Sequence, residues 1–304
     1  MPDSLPAPPQ NPRMRNLSAQ EERSVTHGDF WIPEEEREIY KRALGALNAD
    51  GIPYVVAGAY AIYEHTGIYR QTKDLDVFCE PEALPRALRT LRAAGFRTRL
   101  EEAHWLAKAK DDPYFVDVIF GMGNGLALID RDWHHHSTPA ILAATPVRVA
   151  PVEELIWHRL FISERHRQDM ADIVHLILCR GEQLDWERLV AKCGPHWPLL
   201  LAQLQMFRYV YPGHQERVPD EIFTRLLDRA RADVRGDYAR EDVTRGTMIS
   251  RFSFAIDVHE WGFRDLRTES IGTMRRSAVI REIVAADVWD ERSEGVEALR
   301  SVAE

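Results

Sequence analysis

Residues 74–77, Asp-Leu-Asp-Val, place the tightest constraint on this chain. Side chains alternate across a strand, so Asp74 and Asp76 project from one face while Leu75 and Val77 point to the other. The run "RQTKDLDVF" (70–78) therefore reads as a short strand with an apolar side to bury and an acidic side to satisfy. Two carboxylates at this spacing repel, and one takes up a proton unless positive charge sits between them. The fold around this strand has to supply that charge.

The flanking sequence alternates between two periods. Ile39, Tyr40, Ala43, Leu44 and Leu47 recur at helical spacing, with acids before them and Gly51 after. "IPYVVAG" is β-rich and stops at Gly58, and "AYAIYEHTG" reads as a helix closed by Gly67. After the aspartate strand, Leu84, Leu88 and Leu91 mark an amphipathic helix. "FRTRLEE" and "HWLAKAK" form two strands or a hairpin, "YFVDVIF" (114–120) is the strongest β signal, and "PVRVA" is a closing edge strand. Interleaved strands and helices up to residue 150 predict an α/β (α+β) domain built on a mixed sheet. From Pro151 the pattern turns helical: "PVEELIWHRLFISERHRQDMADIVHLILCRG" gives two helices or one bent helix, and three further helical stretches follow. The expected division is a disordered arm over 1–30, rich in Pro, Ser and charge, an α/β domain over 31–150 and a mainly helical domain over 151–304. Residues 212–304 carry no assigned role.

A net charge of −9 argues against sequence-blind binding to nucleic acid but leaves room for a local basic cleft. Cys79, Cys179 and Cys193 form no CxxC pair, which fits a reducing compartment and gives no zinc spacing. No apolar run reaches membrane-spanning length and the N-terminus has no signal-peptide core, so a cytoplasmic protein without a membrane partner is expected.

Three features carry chemistry. Gly58-Ala59 ends a strand and opens a helix, where backbone N–H groups and the positive dipole end suit a phosphate; the plainer reading is a tight turn and nothing more. Asp74 and Asp76 offer oxygen-only ligands that suit Mg²⁺, or else form a solvated strand end paired with nearby Arg or Lys. Asp117 lies mid-strand in "YFVDVIF" and needs a partner: either it joins Asp74 and Asp76, or it pairs with Arg97 or Arg99. "DWHHHSTP" (132–139) and "GMGNG" (121–125) read as loops.

The stretch "VAGAYAIYEHTGIYRQTKDLDVF" resembles the signature of the nucleotidyltransferase superfamily with the DNA polymerase β fold. Its "RxTxDLD" version looks most like uncharacterised bacterial nucleotidyltransferase-like proteins and AbiEii-type toxins. "EELIWHRLFISERHRQDMADIVHLI" is similar to a helical segment of the same proteins and picks out Glu154, Arg159, Arg167, Asp169 and Asp172. One departure is Ala59, where the family has Gly or Ser; the N–H is kept and a hydroxyl is lost.

The resemblance implies transfer of an NMP from an NTP to an acceptor hydroxyl, with two Mg²⁺ ions held by Asp74, Asp76 and Asp117, Asp117 either ligating the second ion or acting as base toward the acceptor hydroxyl. Gly58, Ala59, Arg70, Lys73, Arg159 and Arg167 would contact the nucleotide; the plain reading of these basic residues is a solvated flank or ordinary ion pairing. The acceptor would be a small molecule, a protein or tRNA. Two further readings stand: a catalytically decayed nucleotide-binding or interaction module, with Ala59 as its sign, and the toxin of a toxin–antitoxin pair, which implies an antitoxin partner.

Overall fold

The computed structural model describes residues 30–72, 74–165, 167–233, 242–293 and 295–296. Of the expected N-terminal arm, all but Phe30 lies outside these residues.

Helix α1 (Glu34–Ala49) carries Glu34, Glu35 and Glu36 in its first turn, where acids complement the helix dipole, and buries Tyr40, Ala43, Leu44 and Leu47. Strand β1 (Val55–Val56) runs into α2 (Gly58–Thr66), which ends at left-handed Gly67. Strand β2 (Leu75–Phe78) holds the acidic pair's second member, and α3 (Leu84–Ala93) buries Leu84, Ala87, Leu88 and Leu91 along one stripe. Strands β3 (Arg97–Glu102), β4 (Leu106–Asp111) and β5 (Tyr114–Ile119) follow as an antiparallel run. The remaining strands of this half are β6 (Thr138–Leu142) and β7 (Thr145–Val149).

These strands and β12 (Glu291–Arg292) form one eight-stranded mixed sheet in the order β12-β3-β4-β5-β2-β1-β7-β6. The pairs β12–β3, β5–β2 and β1–β7 are parallel. Helices α1 and α3 pack on the sheet and on each other. The mixed sheet is as the sequence predicts. However, "PVRVA" does not close it: β7 lies inside, and β6 forms the edge. The side chains of β6 are mostly exposed, so it lacks the apolar alternation that betrays a strand.

The histidine run is not a plain loop. Residues Arg131–His135 form a one-turn helix, α4, whose preceding Asp130 accepts from the Asp132 N–H. Trp133 is buried and stacks on Phe78 at 4.9 Å, while His135 and His136 stay exposed. A five-residue helix is too short to show a period. The "GMGNG" stretch is a hydrogen-bonded turn, with Gly125 N–H donating to Met122 O at 2.9 Å.

In the second half α5 (Val152–Arg159) and α6 (Met170–Arg180) are separate helices joined by a hairpin, β8 (Ser163–Glu164) and β9 (Arg167–Gln168). Helices α7 (Trp186–Cys193), α8 (Trp197–Val210) and α9 (Asp220–Asp233) follow. Beyond residue 242 the chain forms the β10 (Val243–Thr244) and β11 (Arg264–Asp265) pair and helices α10 (Ala255–His259), α11 (Leu266–Arg275) and α12 (Ala278–Ala285). It then returns to the sheet. Strand β12 pairs with β3, and Thr98 N–H donates to Asp290 Oδ2 at 2.7 Å while its hydroxyl donates to Val288 O. Among the described residues no helix is long and apolar enough to cross a membrane.

Trp133→Ala is expected to cost about 3–5 kcal/mol, as for other buried aromatic truncations. The check is the urea midpoint, against exposed His135→Ala, which should stay within about 0.5 kcal/mol of wild type.

Candidate active site

The parallel pairing of β2 with β5 sets Asp76 opposite Asp117. Residues in register on neighbouring strands share a face, so the two carboxylates project to one side. The same row continues across the sheet: Asp117 faces Lys108 on β4, Lys108 faces Arg99 on β3, and Arg99 faces Glu291 on β12. Asp74 and Asp76 line one narrow crevice with Tyr40, Ala57, Ala59, Tyr60 and Thr72.

Each carboxylate has a different setting. Asp74 accepts from the Thr72 hydroxyl at 2.8 Å. Asp117 is buried and accepts from Lys108 Nζ at 2.6 Å, an ammonium that also lies 4.2 Å over the Phe115 ring. Burial pushes the Asp117 carboxyl up, against the pull of Lys108. Among the described residues Asp76 makes no ion pair, and its carboxyl is pushed up to about 7 by burial and by the charges of Asp74 and Asp117. Arg159 and Arg167 act on it from a distance in the opposite sense. Neither expected partner of Asp117, Arg97 or Arg99, takes it: Arg97 pairs with Asp112, and Arg99 with Glu101 and Glu291.

The β1–α2 turn sits directly on this acidic strand. Ala57 N–H donates to Asp76 O at 3.0 Å. Gly58 has a φ of +60°, and a Cβ there would lie 1.8 Å from Asp76 Oδ2. Glycine is required by both facts: the backbone is left-handed, and the space belongs to a carboxylate. The next residue, Ala59, lines the same crevice.

The basic residues divide. Arg159 is buried, with Nε 3.2 Å from Asp172 and 3.7 Å from Asp169, and its Nη2 reaches Gly58 O at 3.4 Å. Burial lowers its pKa to about 10, with Asp169 opposing, so it is charged at neutral pH. Arg70 also pairs with Asp172. Arg167 makes a two-pronged contact with Asp169, at 3.1 and 3.2 Å, from an exposed position. Lys73 lies outside the described residues. Glu154 is fully buried and holds Arg188 and Lys192 of α7, away from the acidic row.

Two residues escaped the sequence reading. Thr72 is one. Lys108 is the other, and a signal for it existed: a two-residue turn at Asp112-Pro113 sets Lys108 opposite Asp117.

A model of the family described as uncharacterised nucleotidyltransferase matches residues 35–208, more than half of the 304. The chain belongs to this family. It is a nucleotidyltransferase by that membership, with the fold expected of one. No curated protein matches it. Among solved structures it is similar to the lincosamide antibiotic adenylyltransferase LnuA in lincomycin-bound form, at 16% identity over 48% of this chain and 96% of that one, TM-score 0.34. It is also similar to ANT(2″)-Ia in complex with adenylyl-2″-tobramycin, at 19% identity over 58% and 99%, TM-score 0.35. A third is JHP933 from Helicobacter pylori, at 14% identity over 66% and 97%, TM-score 0.32. Likeness at these levels carries no substrate to this chain.

Among the described residues no three His, Cys, Asp or Glu side chains are grouped ready to hold a metal. The donor set still fits a hard cation at one place. Asp74 and Asp76 supply oxygen only, and among the described residues no cationic side chain lies at ion-pair distance from Asp76. Asp117 differs, because Lys108 already holds it.

Two outcomes follow. Between about pH 4, where an unfolded aspartate ionises, and about 7, the folded chain holds a proton on Asp76 that the unfolded chain has released. The stability from this group therefore falls as pH rises through that window. The Tm of the metal-free wild type minus that of Asp76→Asn should drop accordingly and level off at higher pH. Gly58→Ala should displace the Asp76 carboxylate and abolish nucleotide binding. Gly67→Ala, equally left-handed but with open space around it, should bind normally and lose only about 1–2 kcal/mol of stability.

Proposed function

We propose that this protein moves a nucleoside monophosphate from an NTP to an acceptor hydroxyl, with Asp74 and Asp76 holding Mg²⁺ and Asp117 acting as base. The observation that carries the reading is the Asp76–Asp117 pairing in one row, with Asp74 in the same crevice and the Gly58 turn against it. Mg²⁺, when bound, neutralises charge on the triphosphate and on departing pyrophosphate.

The chain's own groups do the rest. Backbone N–H groups at the start of α2, those of Gly58 and Ala59, hold a phosphate oxygen, and Ala59 serves here without a hydroxyl. Arg167, exposed and within electrostatic reach of Asp76, is free to exchange Asp169 for a phosphate. Arg159 acts differently: it anchors the Gly58 turn from behind and orients it. Arg70 supports the same cluster through Asp172. In the transfer the acceptor oxygen bonds to the α-phosphorus as the bond to the β-phosphate's bridging oxygen breaks. Pyrophosphate departs with that electron pair, and the acceptor proton passes to Asp117. Residues 31–150 would house this chemistry, and Arg159 with Asp169 and Asp172 of the helical half would brace it.

The test is incubation of the protein with each α-³²P-labelled NTP, Mg²⁺ and a panel of acceptors: cell-extract protein, tRNA and small hydroxylated compounds. Loss of cation binding removes several kcal/mol of charge stabilisation, which is about 100-fold or more in rate. Asp74→Asn and Asp76→Asn should each show at least that loss. Label transfer that survives the double change would refute the assignment.

A further inference from the structure

We infer that Lys108 takes the place of a second metal ion, so that the site holds one divalent cation at Asp74 and Asp76 instead of two. The inference rests on the proposed function above, and it concerns how the third carboxylate is used.

In-register pairing sets Lys108 opposite Asp117, with Nζ 2.6 Å from Oδ1. The ammonium is held from a second side by the Phe115 ring at 4.2 Å. Both partners are shielded: the side chain of Lys108 is 19% exposed and that of Asp117 is 12%. Screening by solvent is therefore weak, and Coulomb repulsion between like charges at contact range is strong. Paired catalytic metals sit about 3.5–4 Å apart and share carboxylates between them. An ion sharing Asp117 with Asp76 would have to lie against a fixed ammonium that already neutralises Asp117. To admit it, Lys108 would have to leave a short bond and an aromatic face together.

The next strand reinforces this. Arg99 faces Lys108 across β3–β4, and its Nε is engaged by Glu101 at 2.8 Å. The row therefore runs acidic at β2 and β5 and basic at β4 and β3, and the basic part begins at Asp117's own partner. The Lys108 side chain at that point supplies what a second ion would: it opposes the effect of burial on Asp117 and sets a cation against that carboxylate.

The experiment counts bound ions in the full chain by titration with Mn²⁺ alone, following the free-ion EPR signal. Wild type should bind one Mn²⁺, and Lys108→Arg should also bind one. Lys108→Met, which keeps the stem over Phe115 and removes the charge, should bind two, with the spin-coupled spectrum of neighbouring ions. Lys108→Met/Asp117→Asn removes both members of the pair, so it leaves no unpaired buried charge and should return the count to one. Two ions in wild type overturn the inference whether or not the variants fold. A single ion in folded Lys108→Met overturns it as well, and both results leave the Asp74/Asp76 assignment intact. No ion in wild type, or one that survives Asp74→Asn/Asp76→Asn, refutes that underlying assignment instead.

Discussion

The placement of one carboxylate against another, Asp76 beside Asp117 on adjacent parallel strands, governs much of what surrounds it. Parallel neighbours cannot be joined by a tight turn. The chain leaves β2, forms α3, runs up and down through β3 and β4, and only then comes back as β5. That detour brings Lys108 to Asp117 on the far side, while the glycine turn closes on Asp76 from the near side. Among the described residues, the acidic row at the middle of the sheet is thus met at contact distance by Lys108 on the Asp117 flank and by no cation at that distance on the Asp76 flank.

The helical half is tied to this arrangement by ions as well as by apolar packing. Buried Arg159 is satisfied by Asp169 and Asp172 and reaches the carbonyl of Gly58. Breaking a buried pair by removing one partner leaves a stranded charge, which makes such a network intolerant of change. Helix α2 also packs on α6, so the Gly58 turn is held at its carbonyl by Arg159 and along its helix by that packing.

Most of the sheet could be read from the sequence, because β3 alternates over much of its length, β2 and β5 are short runs of β-forming residues, and α1 and α3 carry continuous apolar stripes. Where the pattern was absent, so was the reading. Strand β6 exposes most of its side chains, α4 is a single turn anchored by Trp133, and β12 is two charged residues. Of the site, Asp74, Asp76, Asp117 and Gly58 were visible as residue types at meaningful spacings. What sequence could not convey was allegiance. Arg159 reads like a surface cation reaching over a cleft, whereas the fold buries it behind the turn. Lys108 looks like any strand lysine until register sets it opposite Asp117.

The return of residues 288–293 to strand β3 has a temporal meaning. The hydrogen bonds between Thr98 and Asp290 span 192 positions of chain. Synthesis proceeds from the N-terminus, so β3 emerges from the ribosome long before the segment that covers its outer edge. During that interval a row of unpaired backbone groups is open to any passing strand, the circumstance in which nascent chains stick to one another. Arg97 and Arg99 project from that bare edge, and Glu291 meets both once β12 arrives. The same arginines that seal the finished sheet can therefore guard it while it waits, by charge repulsion between neighbouring unfinished copies.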